Sequence, residues 1–376
     1  MQKASSKMKY LSLSLIGLIL AACAAANPTP PIDVITPTPL ASPTRAAEPT
    51  TTPTIAPSPT PTITPTPTPQ LVQLTTDGCC VNPGWSPDAR QVLFIDKPTT
   101  AAEVGYYAID VTGPDRTPKY AGRVGLYSPD RSLAAFAEGL RTIVERLSTG
   151  ESWPVPNAGQ AVEFSADNRR VAWDSEAASG PYDQRQSEIF VATFDGKNAQ
   201  RVTRVYGGGL VGWLPNSTSL MFLGRPSLAT HDRTLTVLDL NTNTAADLVT
   251  AERLSGISVS NDGTWVAYYI SFNEDATRNG IWVQRTDSSE ARKLDQWGAY
   301  QWRDDSHLLL IPMRTASGTG FDVWDIDAAT GASRQITSGA ATPLNILNGD
   351  WRVSPDGKSI VFVNSADRNL WLLKLP

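Results

Sequence analysis

Ser354-Pro355-Asp356-Gly357-Lys358, with the apolar run Ile360-Val361-Phe362 behind it, decides the fold. Proline presets φ, aspartate closes a tight turn, and a short apolar run follows as a strand. Working back along the chain, the residues before and within this turn recur without gaps. The other copies are Gly84-Trp85-Ser86-Pro87-Asp88, Leu126-Tyr127-Ser128-Pro129-Asp130, Glu163-Phe164-Ser165-Ala166-Asp167, Gly212-Trp213-Leu214-Pro215-Asn216, Ser258-Val259-Ser260-Asn261-Asp262 and Gln301-Trp302-Arg303-Asp304-Asp305. The middle positions, 86, 128, 165, 214, 260, 303 and 354, are spaced by 42, 37, 49, 46, 43 and 51 residues. That is the period of a four-stranded propeller blade, about 40–50 residues.

Each unit continues alike. A strand such as Val92-Leu93-Phe94 or Val266-Ala267-Tyr268 follows the turn, then a third such as Ile189-Phe190-Val191 or Ile281-Trp282-Val283. A polar turn such as Asp195-Gly196-Lys197 leads to a fourth, such as Arg201-Val202-Thr203. The last unit stops after its third strand, within 370–375, and an orphan strand, Leu71-Val72-Gln73-Leu74-Thr75, precedes the first. Together they complete one sheet and leave no open edge. The expected fold is all-β: a seven-bladed β-propeller over 71–376, closed by the N-terminal strand and without a large helix.

These repeats resemble the Ser-Pro-Asp-Gly propeller repeats of the TolB-like family, also called PD40 repeats. The same repeat occurs in propellers of prolyl oligopeptidase-type peptidases. The resemblance covers about 300 residues and is clearest in 354–358. Two departures stand out: seven copies rather than six, and a Pro/Thr-rich segment where TolB has a small N-terminal domain. The TolB role is therefore not carried over. Val323-Trp324-Asp325 echoes a WD40-like ending, but once only and without a Gly-His partner.

Ahead of the repeats, Lys3, Lys7 and Lys9 precede a ten-residue apolar run at 11–20, and small residues follow. That order describes a secretory signal peptide over 1–22. Leu20-Ala21-Ala22-Cys23 resembles the lipobox of bacterial lipoproteins. The resemblance implies acylation of Cys23, cleavage before it, and a bilayer partner through its acyl chains. Residues 24–70 hold 14 prolines and 13 threonines. Such a stretch buries too little apolar surface to fold. With Cys23 it is expected as a disordered tether over 23–70, reaching on the order of 140 Å when extended. The location expected is the cell envelope, lipid-anchored on the extracytoplasmic side of a bacterial membrane.

The formal net charge is −5, and removing three lysines with residues 1–22 leaves −8. An acidic chain without a basic stripe is a poor nucleic-acid binder. No G-x-S-x-G elbow occurs, and no chain follows Pro376 for a hydrolase domain, so a peptidase is not expected. His231 and His307 lie on different units, neither beside a second metal-type ligand. No catalytic set, resident metal or cofactor is expected, and the chain is expected as a monomer.

Cys79-Cys80 is the most unusual local feature. Adjacent Cα atoms lie ~3.8 Å apart, below the usual disulfide span of about 4.4–6.8 Å. A vicinal disulfide, two thiols and metal capture all remain open. Loops joining one unit to the next gather at one channel mouth and carry the candidate ligand face: Arg123, Tyr206, Arg253, Trp297, Tyr300, Asp350 and Trp351. Trp297 and Trp351 are each expected to pack between blades. Long loops at 174–187, 223–234 and 271–280 join that face. The expected function is a non-catalytic binding module for a protein, peptide or glycan. The alternative is a polysaccharide-acting enzyme using mouth carboxylates such as Glu252, Asp295 and Asp350.

Overall fold

The computed structural model describes residues 69–176, 180–313, 320–339, 342 and 344–376. Every described strand belongs to the unit Thr64–Pro376. The acylation expected at Cys23 and the signal peptide over 1–22 lie outside the described residues, as does the tether up to residue 68.

The described residues of this unit form an all-β, propeller-like ring of antiparallel sheets. The first sheet comprises Val81–Trp85, Gln91–Asp96, Gly105–Asp110 and Lys119–Gly122. The second comprises Leu126–Tyr127, Leu133–Glu138, Arg141–Arg146 and Glu151–Val155. A third, of seven strands, runs through Glu163–Phe164, Arg170–Glu176, Gln186–Thr193, Gln200–Trp213, Ser219–Arg225, Arg233–Asp239 and Thr244–Ala251. The fourth holds Leu254–Val259, Trp265–Ile270, Gly280–Arg285 and Ala291–Lys293; the fifth holds Gly298–Trp302, His307–Pro312, Val323–Asp327 and Ser333–Thr337. The sixth holds Ile346–Val353, Ser359–Asn364 and Leu370–Lys374, and its outer strand is Gln70–Gln73 from the other end of the domain. Two three-residue 3-10 turns, Tyr182–Gln184 and Ala276–Arg278, are the helical elements among the described residues.

Strand alternation explains the core. Successive side chains point to opposite faces, so each sheet packs on both neighbours. In the sixth sheet, Val361, Val363, Leu370 and Leu372 meet Val92, Phe94 and Ile109 of the first. Ile360, Phe362 and Leu373, one position out of step, meet Leu309, Ile311 and Val323 of the fifth.

The recurring turn holds the ring at its other end. Ser165 is fully buried; its hydroxyl donates to Asp167 Oδ1 at 2.6 Å and accepts the Arg170 N–H at 3.0 Å. The same arrangement recurs at Ser86, Ser128, Ser260 and Ser354. Gly357, at φ +68°, closes the last of these turns where a Cβ would sit 2.6 Å from the Arg303 carbonyl oxygen. The sixth copy differs from its gapless alignment. Its turn is one residue shorter, and Asp304 rather than Asp305 accepts the Ser306 and His307 N–H groups. Arg303 stands where serine usually does and pairs instead with buried Asp325 at 2.7 Å.

The third sheet also departs from the expected two separate units. Gln200–Trp213 runs on for 14 residues, pairing with Gln186–Thr193 through its first half and Ser219–Arg225 through its second. Gly207-Gly208-Gly209 make this possible. Gly207 adopts φ +61°, and a Cβ at Gly208 would overlap the Leu223 carbonyl oxygen. The two halves then pack on each other through Ala172, Ile189 and Val205 against Leu220, Phe222 and Leu238.

Candidate functional site

Register fixes which connections share an end of each sheet. In the first sheet Val81 pairs with Ile95, and Asp96 with Gly105. In the fourth, Leu254 pairs with Ile270, and Ile270 with Gly280. The start of each sheet's first strand thus lies beside the connection between its second and third. This end carries long loops, whereas the opposite end carries the tight Ser-x-Asp turns.

At the loop end, a cleft of about 380 Å³ is lined by Tyr182, Asp183, Arg225, His231, Arg233, Glu252 and Arg253. Three connections build it. Pro181 leads into the 3-10 turn that presents Tyr182 and Asp183. The 226–232 connection folds back through Thr230 N–H and Oγ1 bonds to the Ser227 carbonyl, bringing His231 and Arg233 round opposite Arg225. Glu252 and Arg253 lie between the third and fourth sheets.

The electrostatics of the cleft are unequal. Arg233 pairs with Asp183 and lies 5.5 Å over the Tyr182 ring. Arg253 Nε lies 3.9 Å from Glu252, and its guanidinium caps Phe272 at 5.0 Å. His231 bonds to Asp232 at 2.9 Å, and that bond, with the Glu252 charge, raises its pKa. Arg225 donates through Nη1 to the Thr230 carbonyl at 3.4 Å, while its buried Nε and Nη2 have no hydrogen-bond partner among the described residues.

Farther round, Tyr269 packs on Trp297 and Tyr300, with ring centres 5.1 and 4.9 Å apart. Tyr269 donates to the Gly298 carbonyl, Tyr300 to that of Gly256, and Trp297 Nε1 to Met313 Sδ. Burial pushes the Tyr269 phenol up to about 12. Beside this group, Met313, Phe321, Ile346 and Trp351 line an apolar recess of about 130 Å³.

The candidate residues therefore separate. Arg253 lines the cleft, and Tyr206 supports it as the strand partner of Arg225, its hydroxyl on Gln186. Tyr300 belongs to the aromatic group. Trp297 stands 41% exposed rather than packed away, whereas Trp351 is core, 2% exposed. Arg123, 4.2 Å over Phe136 and paired with Glu138, lies in a different connection from the cleft. Asp350 is half-buried on the sixth sheet. Of the three mouth carboxylates, Glu252 lines the cleft, but Asp295 and Asp350 do not. Sequence reasoning missed Arg225, Arg233 and Tyr182 as site residues; the length of their loops was the available signal.

Cys79 and Cys80 form a vicinal disulfide with Cα atoms 3.8 Å apart. Asp77, Gly78, Cys80 and Asn82 around it all have positive φ. The sulfurs and an Asp96 carboxylate oxygen lie within 4.8 Å of one another. Cysteine ligates metal as the thiolate, so this trio offers a cation its Asp96 oxygen until the disulfide is reduced.

No protein-family model and no curated protein matches the chain. Among solved structures it is similar to an oligogalacturonate lyase in complex with manganese, at 15% identity and TM-score 0.58, covering 81% of this chain and 93% of that one. It is also similar to a protein described as TolB from Agrobacterium tumefaciens (16% identity, 78% and 90% covered, TM-score 0.39). For TolB from Acinetobacter baumannii the values are 12% identity, 69% and 64% covered, and TM-score 0.40. At such identities the first likeness establishes the propeller-like fold alone.

Proposed function

We propose that this chain is a non-catalytic binding module that engages a protein partner through its loop end. The observation carrying this is where apolar surface is left in water. Among the described residues, all the exposed large apolar side chains except Tyr120 and Leu147 lie at the loop ends of the sheets. Leu140, Tyr182, Leu228, Phe272 and Met313 are among them. Exposed apolar residues gathered on one side mark interaction surfaces, and aromatics with arginine are the usual anchors. Phe272 is 77% exposed and held at φ +54°. A bulky residue rarely adopts that region, and such strain gathers at ligand-contacting positions.

In the same proposal the third sheet is two blades sharing Gln200–Trp213, giving seven blades with the five other sheets. Residues 1–22 are the signal peptide, Cys23 carries the acyl chains, and 23–70 tether the propeller on the extracytoplasmic side of a bacterial envelope. No helix among the described residues is long and apolar enough to cross a membrane. The proposed chain is a monomer without nucleic-acid partners.

The experiment places a photo-crosslinking residue at Phe272 or Trp297, and at Leu147 on the turn end, in the lipoprotein on its own cells. A reproducible protein adduct from the first two sites and not the third is expected. Glycan adducts, or none, favour the alternative of a polysaccharide-acting enzyme. That alternative draws on the fold likeness to a lyase of oligogalacturonate, but two of its three carboxylates lie outside the cleft.

A further inference from the structure

We infer that the cleft around Arg225 is a carboxylate-binding site, and that the carboxylate belongs to an acidic segment of the polypeptide partner. The inference rests on the binding reading above and gives it a chemistry.

Three arginines line the cleft, and two have carboxylate neighbours: Asp183 for Arg233 and Glu252 for Arg253. Arg225 has none. Its bond to the Thr230 carbonyl uses Nη1 and is long, at 3.4 Å. The nitrogens left over, Nε and Nη2, are both shielded and both unpartnered. They form the side edge of the guanidinium, whose two parallel N–H groups match the two oxygens of one carboxylate. An unpaired buried donor is costly, so a ligand that displaces what covers this edge and satisfies both nitrogens removes a penalty already present in the free protein.

The surroundings select among anions. Asp183 and Glu252 line the same cleft. Their charges lower the local positive potential, which suits a monoanion and disfavours a phosphate dianion. They also select among carriers. The Tyr182 ring is covered by Arg233 and the Phe272 ring by Arg253. Each therefore has one face occupied that a sugar ring would stack on. Aliphatic Leu228, 56% exposed, sits on the same loop as the cleft residue His231. An acidic peptide with an apolar residue nearby fits this arrangement better than a uronate chain.

The test uses the full-length chain and three fluorescent probes: a short oligo-glutamate, an oligo-glutamine of equal length, and an oligogalacturonate of equal charge. Saturable binding of oligo-glutamate alone is expected. Arg225→Gln and Arg225→Lys should each weaken it by about tenfold or more, the lysine variant because it keeps the charge and loses the fork. Arg253→Gln is a second variant at an exposed position, and melting curves check that each folds. Equal binding of oligo-glutamate and oligo-glutamine overturns the inference. Wild-type affinity in Arg225→Lys does so too, as does tighter binding of oligogalacturonate. A crosslinked protein partner without oligo-glutamate binding removes this site and leaves the binding module standing. Oligo-glutamate binding without any partner does the reverse.

Discussion

At the residue scale the recurring serine and aspartate do structural work. Ser165 is fully buried and serves one carboxylate and one backbone N–H. Ser165→Ala leaves that N–H without its side-chain acceptor, and a loss of about 1–3 kcal/mol is expected in urea unfolding. The turn carboxylates set a pH dependence. Hydrogen bonds from Ser86, Thr277 and Ser289 hold Asp88, Asp275 and Asp287 below the usual carboxylate range. The Lys197 and Thr193 side chains bring Asp195 to about 2. Folded pKa values below the unfolded value, about 3.9, favour the folded state wherever the groups are ionised. The denaturation midpoint should therefore hold steady above about pH 5 on this account and fall as pH drops from there toward 2. A midpoint independent of pH across that window would contradict the assignment. Ser-Pro-Asp was legible because the whole device spans six residues. Asp304 was not, since a one-residue shortening of the turn leaves no mark in a gapless alignment.

At the element scale, the pairing of the two chain ends was readable from a missing strand at one end and an extra strand at the other. Gln70–Gln73 forms the outer strand of the sixth sheet, and the chain continues past it. The Leu74 N–H donates to the Leu370 carbonyl, and the Thr75 hydroxyl accepts the Leu370 N–H. A chain beginning at residue 77 should expose the edge of Leu370–Lys374. Light scattering should show association, and unfolding should lose cooperativity; a monomer of unchanged stability would contradict this. The long strand through Gly207-Gly208-Gly209 escaped the sequence because a glycine run ordinarily signals a loop. Here glycine serves close backbone approach instead.

At the scale of the whole molecule the two ends of the sheets divide the labour. Tight turns lock neighbouring sheets at one end, and long loops leave apolar and charged side chains exposed at the other. Phe272→Ser with Trp297→Ser should abolish partner capture on cells while moving the melting temperature little. A large drop in melting temperature would place those rings in the core. The arginine cleft was hidden in the sequence because its residues come from three connections spread over 182–253, and burial of a guanidinium edge has no signature in residue order. The closing strand has a mechanical consequence. Any tension arriving through residues ahead of Gln70 reaches the domain first at four paired residues and the Leu74 and Thr75 bonds behind them. Under load the clasp is expected to open before the loop end feels the pull, and single-molecule pulling through the N-terminus should show an early release of residues 70–75.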